Sequence, residues 1–137
     1  MGAAIDSFLA GAPVLLAHLA VTGGMLAIGV AVYMWTTAHD ELALIRAGNS
    51  AAAVSLGAAI LGLALPLAVC MANSVSVYDI VIWGVLTLFI QIAVFWILDH
   101  WLKNLPARIE AGEMGAATLL SAVKLSVAMI NAAAVSG

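Results

Sequence analysis

Charged residues are scarce in this chain of 137 residues, of which only 8% are Asp, Glu, Lys or Arg and 66% are hydrophobic. Soluble domains are roughly one-quarter charged, so the composition excludes an ordinary water-soluble fold. The four Lys and Arg residues are too few for the basic surface that a phosphate backbone requires. We therefore expect no nucleic-acid partner.

The sequence has a single cysteine and none of the common catalytic motifs. Cys70 is the single cysteine, so an internal disulfide is excluded. The sequence holds no Cys/His cluster of zinc-binding spacing, no nucleophile motif and no phosphate-binding glycine loop. We expect no metal, no cofactor and no enzymatic activity. Residues 1–12 lack the Lys or Arg that begins a secretory signal peptide, so the first apolar run is predicted to be a retained span.

Long apolar runs are what the sequence has in abundance. A helix needs about twenty apolar residues to cross roughly 30 Å of hydrocarbon, where every backbone polar group must be satisfied internally. Four stretches reach that length, at residues 13–36, 50–72, 79–98 and 115–134. The sequence predicts an all-α membrane protein in which residues 1–137 form a single domain of four transmembrane helices.

The few basic residues indicate the orientation of these spans. Arg46, Lys103 and Arg108 lie in the two charged connections, residues 39–49 and 99–114. Because cytoplasmic loops retain Lys and Arg, both termini are predicted to be periplasmic. The bias rests on three residues, so inverted or dual insertion is an open alternative.

The chain also matches itself when it is shifted by 64 positions. This shift aligns Ile45-Arg46-Ala47-Gly48 with Ile109-Glu110-Ala111-Gly112, each ahead of a span rich in small residues. Each half would then hold two helices in the same orientation. The pattern predicts two tandem parallel two-helix repeats, at residues 13–72 and 79–134.

Small residues at a spacing of four occur twice on the second span, as Ala53/Gly57 and Ala58/Gly62. Such pairs let helix backbones approach closely. The sequence favours contact inside one protomer for this face and leaves oligomerisation as the alternative.

The fourth span carries the one base inside a predicted span, Lys124, on a face shared with Ser121 and Asn131. A lysine near the bilayer centre costs about 2.5 to 3.5 kcal/mol to insert. No acid lies within a predicted span, so a carboxylate can reach the depth of Lys124 only if a loop folds inward or another subunit supplies one. Gln91, at a similar depth on the third span, is the expected hydrogen-bond partner.

These polar residues suggest a function. Lys124 and Gln91 would line a polar path between the protomers of a homo-oligomeric channel or transporter, with a purely structural lysine as the alternative. Further candidates for this path or for a relay are Ser121, Asn131, Thr87, His18 and Thr22.

A second hypothesis is a membrane anchor or scaffold that recruits a cytoplasmic protein partner through its charged loops. The sequence His39-Asp40-Glu41 is interpreted as a solvated helix extension rather than a metal site, because consecutive residues on a helix point in different directions. The candidate partner residues are His39, Asp40, Glu41, Arg46, Lys103, Arg108, Glu110 and Glu113.

Several segments together resemble a known family. They are Ile45-Arg46-Ala47-Gly48-Asn49-Ser50-Ala51-Ala52, Pro66-Leu67, Ala72-Asn73-Ser74-Val75-Ser76 and Ile90-Gln91. In this order they resemble the YjfL-type family of small bacterial inner-membrane proteins. The resemblance implies four spans, duplicated halves and a bacterial inner-membrane location, and it implies no activity. Glu110-Ala111-Gly112-Glu113 departs from its counterpart in the first half, so the two inner loops need not act alike.

Overall fold

The structure is a computed structural model that describes residues 2–37 and 39–137. Within these ranges the chain is helical and contains no strand. Four helices are long and apolar enough to cross a membrane, so the predicted all-α membrane fold is confirmed. The helices are α1 (Gly2–Thr36), α2 (Glu41–Arg46), α3 (Ser50–Asn73), α4 (Val77–Trp101), α5 (Asn104–Glu110) and α6 (Met114–Ser136).

The first helix is longer than its predicted span. It begins at Gly2 rather than at residue 13 and continues through Pro13 over 35 residues. At 1.5 Å per residue it is about 50 Å long, more than the hydrocarbon thickness. Residues 3–12 contain several good helix formers, and Pro13 removes only one backbone donor, so the helix is not ended there.

The two charged connections contain the short helices α2 and α5. Asp40 precedes α2 as its N-cap and accepts a 2.9 Å hydrogen bond from the Ala43 amide. The interpretation of His39-Asp40-Glu41 as a solvated extension of the first span is wrong. The helix α1 ends at Thr36, and α2 turns back toward the bundle and buries Glu41.

Both short helices end in the same kind of turn. Gly48 and Gly112 have φ of +90° and +87°, a conformation that glycine adopts without strain. The amide of each glycine donates to the carbonyl three residues earlier, Ile45 or Ile109, at 2.9 Å. The two turns lie 64 positions apart, as the sequence alignment has them. The duplication of whole two-helix halves stays a prediction.

The central helix of the bundle is α3, which packs most extensively against α6 and also contacts α4 and α1. Ala58 and Gly62 are buried, and a Cβ placed on Gly62 would lie 2.6 Å from Phe95 Cζ and 3.5 Å from Ala128 Cβ. Ala53 is exposed, and a Cβ on Gly57 would have no neighbour within 4 Å. Of the two predicted small-residue pairs, only the second packs inside the protomer.

Candidate functional site

Lys124 is buried at the centre of a polar cluster, with 1% of its surface exposed. Its Nζ lies 2.9 Å from Asp99 Oδ1 and donates a 3.1 Å hydrogen bond to Oδ2. It also donates to the Tyr33 hydroxyl oxygen at 2.8 Å. Three membrane-length helices, α6, α4 and α1, therefore meet at one ammonium group. The ion pair and the hydrogen bond to Tyr33 offset part of the cost of holding a charged lysine away from water.

The prediction of a hydrogen bond between Lys124 and Gln91 is wrong. The side chain of a helical residue leans toward the N-terminus of its helix, and the N-terminus of α6 lies at the loop face. The Lys124 ammonium therefore reaches toward the end of α4, where Asp99 lies. Gln91, two turns deeper on α4, accepts a 2.9 Å hydrogen bond from Asn131 Nδ2 instead. The acid that reaches the lysine is Asp99, which lies beyond the predicted third span on α4, because this helix continues to Trp101.

Tyr33 links the lysine to a second carboxylate. Its hydroxyl accepts from Lys124 and donates to Glu41 Oε1 at 3.4 Å. Only 5% of the Glu41 surface is exposed. Burial raises the pKa of Glu41 to about 7, although the Lys124 charge and the Tyr33 hydrogen bond act in the opposite direction. A carboxyl group with this pKa changes its protonation state near neutral pH.

Aromatic rings close the inner side of this cluster. The ring of Phe95 meets that of Tyr33 edge-on, with centroids 5.8 Å apart and planes at 79°. The Lys124 ammonium lies 4.8 Å from the Tyr33 ring centroid and 5.1 Å from that of Phe95. Phe95 is fully buried. The polar cluster thus ends at an apolar layer made of Phe95, Gly62 and Ala128.

A polar cavity of about 180 Å³ reaches the cluster from the loop face. We name it the loop-side cavity. It combines four ionisable groups of the cluster with two imidazoles and an indole. Its lining includes Tyr33, Glu41, Asp99, Lys124, His39, His100, Ser55 and Trp96.

A second cavity, of about 530 Å³, lies at the opposite end of the bundle. We name it the far-side cavity, and its lining includes Thr87, Asn131, Asp79, Asn73 and Trp83. Asn131 Nδ2 donates at 3.3 Å to the Thr87 carbonyl as well as to Gln91. The Gln91 Nε2 atom is buried and has no hydrogen-bond partner among the described residues.

The remaining polar candidates lie apart from the lysine cluster. Ser121 is buried and its hydroxyl donates to the Val54 carbonyl at 3.5 Å. His18 and Thr22 are partly buried on α1. The Thr22 hydroxyl has no hydrogen-bond partner among the described residues. The structure gives neither residue a hydrogen bond to the Lys124 cluster.

The candidate partner loops divide into two groups. His39 and Glu41 line the loop-side cavity, so they face the bundle. Arg108 and Glu113 are exposed and paired with each other, Nε donating to Oε2 at 2.6 Å. This hydrogen bond raises the pKa of Arg108 and lowers that of Glu113. Arg46, Lys103, Glu110 and Asp40 are exposed.

Sequence reasoning missed three members of the cluster, Tyr33, Asp99 and Phe95. A signal for two of them was present. The small and polar stripe of Gly84, Thr87 and Gln91 continues at intervals of four to Phe95 and Asp99, which places all five on one helix face. Tyr33 had no such signal, since the packing of α1 against α4 decides which face of α1 turns inward.

Four membrane-length helices around a buried lysine define a small multi-pass membrane protein. A family model described as Domain of Unknown Function (DUF350) matches residues 7–135, and the chain belongs to this family. It is 30% identical over 129 residues, 94% of this chain and 95% of the relative, to the UPF0719 inner membrane protein YjfL of Escherichia coli K12. The YjfL protein of E. coli O157:H7 gives the same values. No solved structure matches the chain. The resemblance to the YjfL-type family is confirmed.

Proposed function

We propose that this protein carries a small ion or solute across a bacterial inner membrane through a path inside each four-helix bundle. The observation that supports this is the pair of cavities at opposite ends of one bundle, with Lys124 lining the first and Asn131 the second. Lys124 and Asn131 are seven positions apart on α6, so their Cα atoms lie about 10 Å apart along the helix axis. The apolar contact of Phe95, Gly62 and Ala128 lies between these two levels, because Ala128 falls between Lys124 and Asn131 on α6.

The path inside the protomer replaces the path between protomers that the sequence favoured. Lys124 and Gln91 are both buried within one chain and so do not face a neighbouring copy. Phe95, with Gly62 and Ala128 around it, closes the path in this conformation. A transporter that opens by moving Phe95 fits this arrangement better than a permanently open channel. The homo-oligomer and the absence of an enzymatic step stay predictions, as does the periplasmic placement of both termini.

Flux into proteoliposomes tests the proposal. The purified protein should move protons, alkali cations or halide under at least one imposed gradient. The Phe95→Ala variant should conduct faster, because the apolar layer is thinned. Phe89→Ala is the matched control, since Phe89 lies on the same helix and is exposed toward lipid. The absence of flux of every solute, both with the unaltered protein and with folded Phe95→Ala protein, would contradict transport.

The scaffold hypothesis has one supporting observation, the exposure of Arg46, Lys103 and Glu110 on the loop face. A partner bound through these residues would co-purify after mild solubilisation. The partner should no longer co-purify when the three exposed residues are neutralised. It should still co-purify with the Lys124→Met variant. The flux assay separates the two proposals, because loop neutralisation leaves the internal path intact.

A further inference from the structure

Glu41 is a buried carboxylate with an incomplete set of partners. Tyr33 donates to Oε1 over a long 3.4 Å, and Oε2 is buried with no hydrogen-bond partner among the described residues. Glu41 also lines the loop-side cavity, which is partly open and lies beside the connection that contains His39. An ionised carboxylate in such a place is costly, and a protonated one is not.

Glu41 has no counter-ion of its own, because the nearby lysine is already paired with another carboxylate. Two carboxylates, Glu41 and Asp99, share one lysine, and the Lys124 ammonium contacts Asp99 directly. Asp40 adds a further negative charge from the same segment. Ser55 of α3 and the apolar residues Pro106 and Ile109 of α5 also line the cavity. The other titratable groups facing this cavity are His39 and His100.

Tyr33 supplies a route for a proton between Glu41 and Lys124. The Tyr33 oxygen accepts from the Lys124 ammonium at 2.8 Å while its own hydrogen points to Glu41 Oε1. A proton passing from Lys124 to the Tyr33 oxygen, as the Tyr33 hydroxyl proton passes to Glu41, leaves a neutral amine, an unchanged tyrosine and a carboxylic acid. The reverse transfer recharges the lysine and leaves Glu41 ionised. No atom or charge is gained or lost.

On this geometry, and resting on the transport function proposed above, we propose that the species carried is the proton. Glu41 exchanges it with the loop-side cavity, and Tyr33 relays it to Lys124. The ion pair with Asp99 then holds the proton beside Phe95, on the loop side of the apolar layer. Each feature of the cluster has a part in this scheme: the unpartnered oxygen, the bridging hydroxyl and the shared lysine.

Infrared difference spectroscopy on the detergent-solubilised full chain tests the proton site apart from any transport. A protonated-carboxyl band should disappear as the pH is raised through neutrality. The band should be lost in Glu41→Gln and kept in Asp40→Asn, since asparagine caps α2 as aspartate does. Labelling glutamate with carbon-13 should shift the band in the unaltered protein. The other two glutamates, Glu110 and Glu113, are exposed, so a labelled band that titrates near neutral pH is assigned to Glu41. The labelling experiment therefore does not depend on the folding of a variant.

Vesicle measurements test the relay. The unaltered protein should carry protons, and Tyr33→Phe should lose proton flux while its Glu41 band still titrates. A merely structural Tyr33 would leave the flux of the folded variant unchanged, which would overturn the relay. A band that survives in Glu41→Gln or ignores glutamate labelling would overturn Glu41 as the site. Flux of another ion without protons would overturn the proton as cargo and leave transport standing. If the Glu41 band titrates but the vesicles show no flux of any solute, transport itself would be overturned.

Discussion

Lys124 and Asp99 join the middle of α6 to the end of α4 through an ion pair in which Nζ lies 2.9 Å from Oδ1. The two side chains differ in burial, since 1% of the lysine side chain but 23% of the aspartate side chain is exposed. Asp99 reaches the loop-side cavity and can be hydrated there. Lys124 depends on its protein partners.

This asymmetry predicts unequal effects of breaking the pair. Asp99→Asn strands a buried ammonium and should lower the free energy of unfolding by about 3 to 5 kcal/mol. Lys124→Met should cost less, because it leaves a carboxylate that water can reach. Unfolding in mixed micelles measures both, with Lys103→Met as the exposed control. Equal losses in the two single variants would contradict this asymmetry, and a double variant as unstable as the sum of the singles would contradict a direct pair.

Removing the Tyr33 hydroxyl should destabilise the bundle without a loss of packing. Tyr33→Phe keeps the ring against Phe95 and deletes one charged and one long hydrogen bond. We expect a loss of about 1 to 3 kcal/mol by the same unfolding assay. Tyr78→Phe is the control, because Tyr78 is exposed. Equal effects in the two variants would mean that the buried hydroxyl contributes nothing.

Stability should fall as the pH rises through the range in which Glu41 ionises. Burial raises its pKa from the ordinary 4.5 to about 7, so between these values the folded state binds more protons than the unfolded state. The contribution is fully present below about pH 4.5 and is lost as the pH passes 7, for a total of about 3 kcal/mol. Unfolding measured across this range should show the decline in the unaltered protein. The decline should vanish in Glu41→Gln and persist in Glu110→Gln.

Two glycines of α3 should respond oppositely to alanine. A Cβ on Gly62 would lie 2.6 Å from Phe95 Cζ, so Gly62→Ala should cost about 1 to 3 kcal/mol through overpacking. Gly57 has open space around its Cβ position, so Gly57→Ala should gain up to about 1 kcal/mol from helix propensity. Thermal unfolding of the two variants checks both signs. A destabilised Gly57→Ala would indicate that this face packs against a second copy.

Cysteine labelling in intact cells tests the orientation. Cys70 is buried, so introduced cysteines give the signal. With both termini periplasmic, Ser136→Cys should react with an impermeant maleimide, and Lys103→Cys should react only after the cells are opened. Labelling of both positions in intact cells would point to dual insertion.

The family, the four apolar helices and the inward face of α6 all follow from local sequence. Spans are set by runs of apolar residues in a solvent that cannot satisfy the backbone, and that requirement needs no tertiary contact. Of the α6 residues predicted to share one face, Ser121 and Lys124 are buried and Asn131 is partly buried. A lysine in an apolar span has to find a polar neighbour wherever the helix is placed.

Only the tertiary structure decided which neighbour that is. Asp99 and Glu41 lie outside every predicted span. Asp99 reaches Lys124 because α4 runs past residue 98, and Glu41 reaches Tyr33 because α2 folds back against the bundle. Tyr33 joins them because α1 turns that face toward α4. Such choices depend on how helices pack, on where a long side chain can extend and on whether a loop returns. These are relations between distant segments, and no local pattern encodes them.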